Sequence, residues 1–149
     1  IKNCQNPHFE YLPYQSDRLM VVLPAADPLA GQKTVKLEQL RERNFILEPV
    51  KSRPYQLCLS LCQAAGFNPK VIYTDHYIEN ITAFVKKGLG VSLLMGKVIP
   101  KDPALAAIPV LPNTTAQITA CYLPEVAENS GREALLKYLQ RYCQSLKIE

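Results

Sequence analysis

No apolar run in this sequence approaches the roughly 18 residues that a membrane span requires, and its start carries no charged-then-apolar leader. Histidine is scarce: only His8 and His76 are present, and neither forms a plausible dyad with a cysteine. There is no G-x-S-x-G elbow and no H-E-x-x-H pair, so the common hydrolase and zinc-protease signatures are missing. The five cysteines (Cys4, Cys58, Cys62, Cys121 and Cys143) form no C-x-x-C pair. Cys58 and Cys62 share one face of an expected helix, but no second Cys/His pair stands at zinc-ligand spacing. All five read as buried, reduced, structural thiols. Charge of one sign is lacking too. The 17 basic and 13 acidic residues leave a net charge of +4, and the basic side chains are scattered rather than gathered into a nucleic-acid stripe. Nothing in the sequence calls for a metal or an organic cofactor.

What remains is a chain able to build a core. With 149 residues, 48% of them hydrophobic and 20% charged, one domain or two small lobes is the natural expectation. The most informative stretch runs from Asp75 to Met95. Ile78, Ile81 and Val85 recur at helical spacing, and Lys86 and Lys87 suit a helix C-terminus. Gly88 supplies the left-handed residue that ends a helix. Gly90 resets the chain, and Val91-Ser92-Leu93-Leu94 is a short buried strand. Preceded by the strand Lys70 to Thr74, this is a βαβ unit.

The rest of the chain follows the same alternation. Phe9 to Tyr14 reads as extended, and Arg18 to Pro24 as a buried strand stopped by proline. Ala25 to Gln32 is a loop, Lys36 to Arg43 a short helix, and Asn44 to Leu47 a strand. Ser52 then caps a helix with Pro54 in its first turn. Tyr55, Cys58, Leu61, Cys62 and Ala65 form its apolar face, and Gly66, Phe67 and Pro69 stop it. Leu105 to Leu111 and Gln117 to Leu123 read as strands. The capping box at Ser130 to Glu133 opens a last helix with Leu135, Leu139, Tyr142 and Leu146 on one face. Strands alternating with helices predict an α/β fold around a mostly parallel sheet, covered on both sides. Ile1 to Cys4 reads as the end of a strand running into a loop, as in a piece of a longer protein.

In such sheets ligands sit beyond the carboxyl ends of the strands, near helix N-termini. Two such edges are in view: Glu48 to Ser52, and Thr74 to Tyr77. Lys51 adds a positive charge to the first. Ser52 is a helix cap that also stands where a ligand would be met. Asp75 reads as a cap and would repel an anion. His76 is either a ligand donor or a solvent-facing side chain. Gly88-Leu89-Gly90 follows a helix and leads into a strand, the reverse of a dinucleotide or phosphate loop. Glu38 and Glu42 form a solvated i, i+4 pair.

Several segments, taken in order, resemble one known family. They are Leu19-Met20-Val21-Val22-Leu23-Pro24 with Asp27-Pro28-Leu29-Ala30, Phe45-Ile46-Leu47, Ala64-Ala65-Gly66-Phe67-Asn68-Pro69, and Val85-Lys86-Lys87-Gly88-Leu89-Gly90-Val91-Ser92-Leu93-Leu94. Together they are similar to the effector-binding domain of LysR-type transcriptional regulators. Two positions depart from that family's habit: Asp27 replaces a histidine before Pro-Leu-Ala, and Met95 replaces a proline after the glycine turn.

The resemblance implies a type 2 periplasmic-binding-protein-like fold of two Rossmann-like α/β subdomains, the first incomplete here. On that template residues 1–13 are the tail of subdomain I and the first crossover. Residues 14–122 are subdomain II, and residues 123–149 are the second crossover and the C-terminal helix of subdomain I. It further implies a small, anionic effector held between the subdomains, contacted by Pro49, Val50, Lys51, Ser52, Thr74, Asp75, His76 and Met95. Closure would turn on segments near Leu12 to Ser16 and Leu123 to Val126. The implied partners are further copies of the chain, as a dimer or tetramer, with Tyr55 to Ala65 and Leu135 to Leu146 as candidate contacts. Promoter DNA would be met only through a helix-turn-helix domain upstream of Ile1. The implied setting is cytoplasmic, with no membrane and no enzymatic activity. Two other readings stay open: an extracytoplasmic solute-binding protein of the same fold, and a small α/β enzyme with a cysteine nucleophile.

Overall fold

A computed structural model describes residues 7–123 and 130–146. The strand end expected at Ile1 to Cys4 and the crossover at Pro124 to Val126 lie outside these residues. The elements are β1 (Glu10–Pro24), β2 (Val35–Lys36), β3 (Asn44–Leu47), α1 (Arg53–Ala64), β4 (Lys70–Thr74), α2 (Ile78–Lys86), β5 (Ser92–Met95), β6 (Leu105–Leu111), β7 (Thr115–Tyr122) and α3 (Ser130–Leu146). They fall into two compact units, one of residues 1–17 and 116–149, the other of residues 18–115.

The second unit holds the core. In β1, Met20 to Pro24 pair antiparallel with Leu105 to Pro109 of β6, while Leu19 to Val22 pair antiparallel with Ser92 to Met95 of β5. β2 runs parallel to β6, β3 parallel to β4, and a parallel bridge joins Phe45 to Val91. The sheet is therefore mixed rather than mostly parallel. β1 runs against both of its neighbours because β5 and β6 each return beside it from a separate excursion.

Strand alternation sends side chains to two faces. One face gathers Leu19, Val21, Phe45, Leu47 and Leu93 against Cys58 and Cys62 of α1. The other gathers Val22, Ile46 and Leu94 against Ile81 and Val85 of α2. Coverage on both sides, expected from the helical spacing of Ile78, Ile81 and Val85, is thus observed.

Both helices end in the same way. The Phe67 N–H reaches the Cys62 carbonyl at 3.0 Å and the Gly66 N–H reaches that of Gln63 at 3.0 Å. In α2 the Leu89 N–H reaches the Phe84 carbonyl at 3.3 Å and the Gly88 N–H that of Val85 at 2.8 Å. These are paired 6→1 and 5→2 closures around a left-handed glycine, and Gly88 stands at φ +75°. Gly90 answers a different demand. The loop lies so close to β3 that an added Cβ would stand 2.7 Å from the Asn44 carbonyl oxygen. The Val91 N–H uses that oxygen at 2.9 Å, which seats β5 beside β3.

Three boundaries differ from the sequence reading. The expected helix at Lys36 to Arg43 is a single 3-10 turn, Leu37–Leu40, whose start is held by the Lys36 N–H donating to Gln39 Oε1 at 2.8 Å. Phe9 to Tyr14 and Arg18 to Pro24 are not two segments, since β1 runs unbroken from Glu10 to Pro24. α2 begins at Ile78, with Tyr77 rather than Asp75 at its N-cap. Cys58 and Cys62 are buried free thiols as expected, whereas Cys121 is exposed.

Within the first unit, β7 pairs with β1 and α3 leaves Leu135, Tyr138 and Tyr142 exposed. The two tyrosine rings stack with centroids 6.3 Å apart. The expected Ser130 cap rests on a side chain outside the described ones.

Candidate functional site

β3, β4 and β5 run in one direction, so their carboxyl ends share one edge of the second unit. Leu47 lies opposite Thr74, and the Asp75 N–H donates to the Leu47 carbonyl at 3.1 Å. Pro49 to Ser52, Thr74 to His76 and Met95 are thereby brought to that same edge. Secondary structure alone achieves this: each segment lies at, or just beyond, the carboxyl end of a parallel strand.

The loop after β3 is fixed by its own backbone. The Ser52 N–H reaches the Pro49 carbonyl at 2.7 Å, and Gln56 Nε2 reaches that of Val50 at 2.7 Å. Ser52 caps α1 as expected, its Oγ accepting the Tyr55 N–H at 3.2 Å. That bond uses a lone pair and leaves the hydroxyl proton to be donated. Pro54 has no N–H, so α1 itself has few first-turn donors left. Lys51 is exposed, and Val50 presents 55% of its surface to solvent.

The loop after β4 is organised around Asp75. Its Oδ1 accepts the Tyr77 N–H at 2.8 Å. Its Oδ2 accepts the Tyr73 hydroxyl at 2.7 Å and Asn80 Nδ2 at 3.0 Å. The Tyr77 N–H, the Tyr73 hydroxyl, the Asn80 amide and the His76 N–H together hold the carboxyl below its usual range, and the Tyr73 phenol is raised in return. Asp75 closes an Asx turn and spends its acceptors within the protein. That turn pushes the helix start to Ile78. His76 is exposed, and Met95 is half-buried at the end of β5 against the core. α2 has no side-chain cap, and Tyr77, 68% exposed, stands at its threshold.

Tyr73 and Asn80 escaped the sequence reading, and Tyr77 entered it only as the end of a segment. The available signal was an aspartate placed two residues before the N-cap position Tyr77, which favours an Asx turn over a cap. Glu48, named only as the edge of a segment, is half-buried at the end of β3, and burial raises its carboxyl pKa.

A depression of about 250 Å³ lies at the opposite edge of the sheet, lined in part by Asp27, Arg43, Asn44 and Gly88 to Val91. Its charges serve the fold. Arg43 Nη2 meets Asp27 Oδ2 at 2.6 Å, and Asp27 Oδ1 accepts the Leu29 N–H at 3.0 Å, which ties the β1–β2 loop to the start of β3. This is where Asp27 stands in place of the family's histidine. The α1 thiols are equally structural. Burial raises Cys58 most strongly, with Cys62 and Glu48 adding to the effect, and carries Cys62 to about 11, the opposite of what a nucleophile needs. Among the described residues, no group of three or more His, Cys, Asp or Glu is placed to hold a metal ion. Within the same residues, no helix is long and apolar enough to cross a membrane.

Known proteins resemble this chain in sequence and in fold. HTH-type transcriptional regulator TtuA of Agrobacterium vitis is 30% identical over 134 residues, which cover 80% of this chain and 42% of TtuA. Transcriptional dual regulator GltC of Bacillus subtilis (strain 168) is 34% identical over 79 residues, covering 53% of this chain and 26% of GltC. The chain thus spans less than half the length of either regulator. The regulatory domain of CcmR from Synechocystis PCC6803, solved in complex with 2-PG, superposes with a TM-score of 0.81 at 18% identity, covering 91% of this chain and 68% of that one; at that identity it shows the periplasmic-binding-protein-like fold alone. The relatives are transcriptional regulators, not enzymes. Residues 1–144 match the family described as the LysR substrate binding domain, and the chain belongs to that family.

Proposed function

We infer that this chain is the effector-sensing domain of a LysR-type transcriptional regulator, and that a small anionic metabolite is held against the strand-end edge of the second unit. The observation that carries the reading is the start of α1. There the exposed Lys51 ammonium and the undonated Ser52 hydroxyl proton stand together at a helix N-terminus, a combination suited to a carboxylate or phosphate. Pro49, Val50, Thr74, His76 and Met95 supply the surrounding wall. Asp75 acts through the turn that it holds.

The whole protein would work as a homo-oligomer in the cytoplasm, with α1 and α3 as candidate contacts. It would reach promoter DNA through a helix-turn-helix domain outside this chain. The effector would bias one of two conformations by its differential affinity for them. The relatives, being regulators, favour this over a solute-binding role, and the raised thiols of α1 speak against Cys58 or Cys62 as a nucleophile.

The test uses the full-length regulator and a thermal-shift screen of small organic acids and phosphate esters. Compounds that bind are titrated against Lys51→Ala combined with Ser52→Gly, since glycine keeps most of the capping preference. Affinity is expected to fall about tenfold or more, consistent with losing charge-assisted hydrogen bonds. Unchanged affinity would sink the assignment.

A further inference from the structure

The outer face of α2 carries a pattern that its own molecule does not use. The inner face, Ile81 and Val85, is buried in the core on the side of the sheet opposite α1. On the outer face Glu79, Ala83 and Lys87 stand at i, i+4 and i+8, a single ridge along the helix, and all three are exposed. Beside that ridge Phe84 keeps 37% of its surface in water. Its ring is held edge-on by Tyr73 of β4, with centroids 4.9 Å apart. Tyr77 before the helix and Leu89 after it are exposed as well.

The two charges of the ridge are not spent within the chain. Glu79 has alanine, not lysine, at i+4, and Lys87 lies about 12 Å further along the axis. Among the described residues neither forms an ion pair, whereas Lys86 is taken by Asp102.

We propose that this face binds a second copy of the chain, the two α2 helices lying antiparallel across a two-fold axis at Ala83. That arrangement sets Glu79 of each copy beside Lys87 of the other, and symmetry makes the pair twice. It also opposes the helix dipoles. The alanines let the two ridges cross closely, and each Phe84 covers the ridge of the other copy. A parallel pairing would set Glu79 against Glu79 and Lys87 against Lys87, so charge fixes the orientation. The face is complementary to itself, which is what a two-fold contact between copies requires. With nine residues, α2 is only about 14 Å long, too short for a stable interface alone. It therefore adds to contacts made elsewhere. Because α1 lies on the other side of the sheet, a chain that uses both faces joins dimers into a tetramer. This goes beyond the effector reading and does not depend on it.

The experiment is sedimentation velocity on the full-length protein over a range of concentrations, with circular dichroism to show that each variant is folded. Ala83→Arg crowds the axis from an exposed helix position, and Phe84→Glu places a charge in the contact. Each is expected to raise the concentration needed for the larger species about tenfold or more. Glu79→Lys and Lys87→Glu are each expected to raise it about threefold or more, since every change counts twice. The two together restore the charge pairs with their signs exchanged and are expected to recover assembly. That recovery is decisive, because neither misfolding nor an unrelated partner produces it. The proposal is overturned if Ala83→Arg assembles as the unmodified protein does, or if the double exchange assembles no better than the single changes.

Discussion

Replacing Gly90 by alanine tests how β5 is seated, and through it the placement of the strand-end edge. The new Cβ would lie 2.7 Å from the Asn44 carbonyl oxygen, 3.2 Å from its carbon and 3.3 Å from Ile46 Cδ1. The first two atoms are backbone of β3 and cannot turn aside as a side chain does. Relief requires β3 and the loop to separate, which lengthens the 2.9 Å bonds from the Val91 N–H to the Asn44 carbonyl and from the Ile46 N–H to the Val91 carbonyl. Overpacking costs about 1–3 kcal/mol, and each weakened bond adds up to about 1 kcal/mol. The expected loss is about 2–4 kcal/mol, a fall in urea midpoint of about 1–2 M at an m-value of about 2 kcal/mol/M. Gly88→Ala isolates the other mechanism. No atom lies within 4 Å of its added Cβ, so only the left-handed backbone penalty of about 1–2 kcal/mol applies. Gly31→Ala meets nothing and needs no special φ, so it should be neutral or stabilising by up to about 1 kcal/mol. Asparagine enters the left-handed region, so Gly88→Asn should recover part of the loss while Gly90→Asn should not. Urea unfolding followed by circular dichroism ranks the series. A Gly90→Ala midpoint above that of Gly88→Ala would refute the close-approach argument.

Arg43→Ala strands the Asp27 carboxylate, only 7% exposed, with the Leu29 N–H as its remaining donor. The expected loss is about 1–3 kcal/mol, toward the lower end because Arg43 is itself 39% exposed. The same urea assay should show Asp27→Asn with Arg43→Gln as the milder change. At neutral pH a thiol reagent should modify Cys121 promptly, while Cys58 and Cys62 react only on unfolding; fast labelling of either helix thiol would contradict their burial. The raised Glu48 carboxyl has a defined consequence for stability. Its folded form disfavours the charge, so its destabilising effect is absent below the ordinary carboxyl range and grows as pH rises through that range and on to the raised value. Thermal unfolding of Glu48→Gln should therefore show higher stability at neutral pH and no gain at acid pH.

Local signals carried most of the fold. Ser52 with Pro54, the paired glycine stops and the spacing of Ile78, Ile81 and Val85 each depend on a few neighbouring residues, and each appears where the pattern placed it. Sheet direction was not legible in the same way. Whether β1 runs with or against β5 is settled by the route of the chain through later segments, and alternation of strands and helices is equally consistent with either. The 3-10 turn at Leu37–Leu40 was misjudged for a related reason: two leucines three apart mark a turn of helix without saying that it continues.

The candidate edge was legible as a place more than as a set of roles. Knowing that three strands end together is enough to bring Lys51, Ser52, Thr74 and Met95 to one edge, because that follows from direction and register. It does not say which polar atoms there are already spent. Asp75 and Glu48 are both acidic residues immediately beyond a strand, and by sequence position they are equivalent. What separates them is the surroundings: Tyr73 and Asn80 flank Asp75 on its own strand and helix, at spacings that let both reach its Oδ2. Glu48 is followed by Pro49, which contributes no N–H. One carboxylate is thus built into the scaffold by donors on both of its flanks, and the other is not. An acidic residue at a strand end should be read for the donors within two to five residues of it before it is assigned to a ligand.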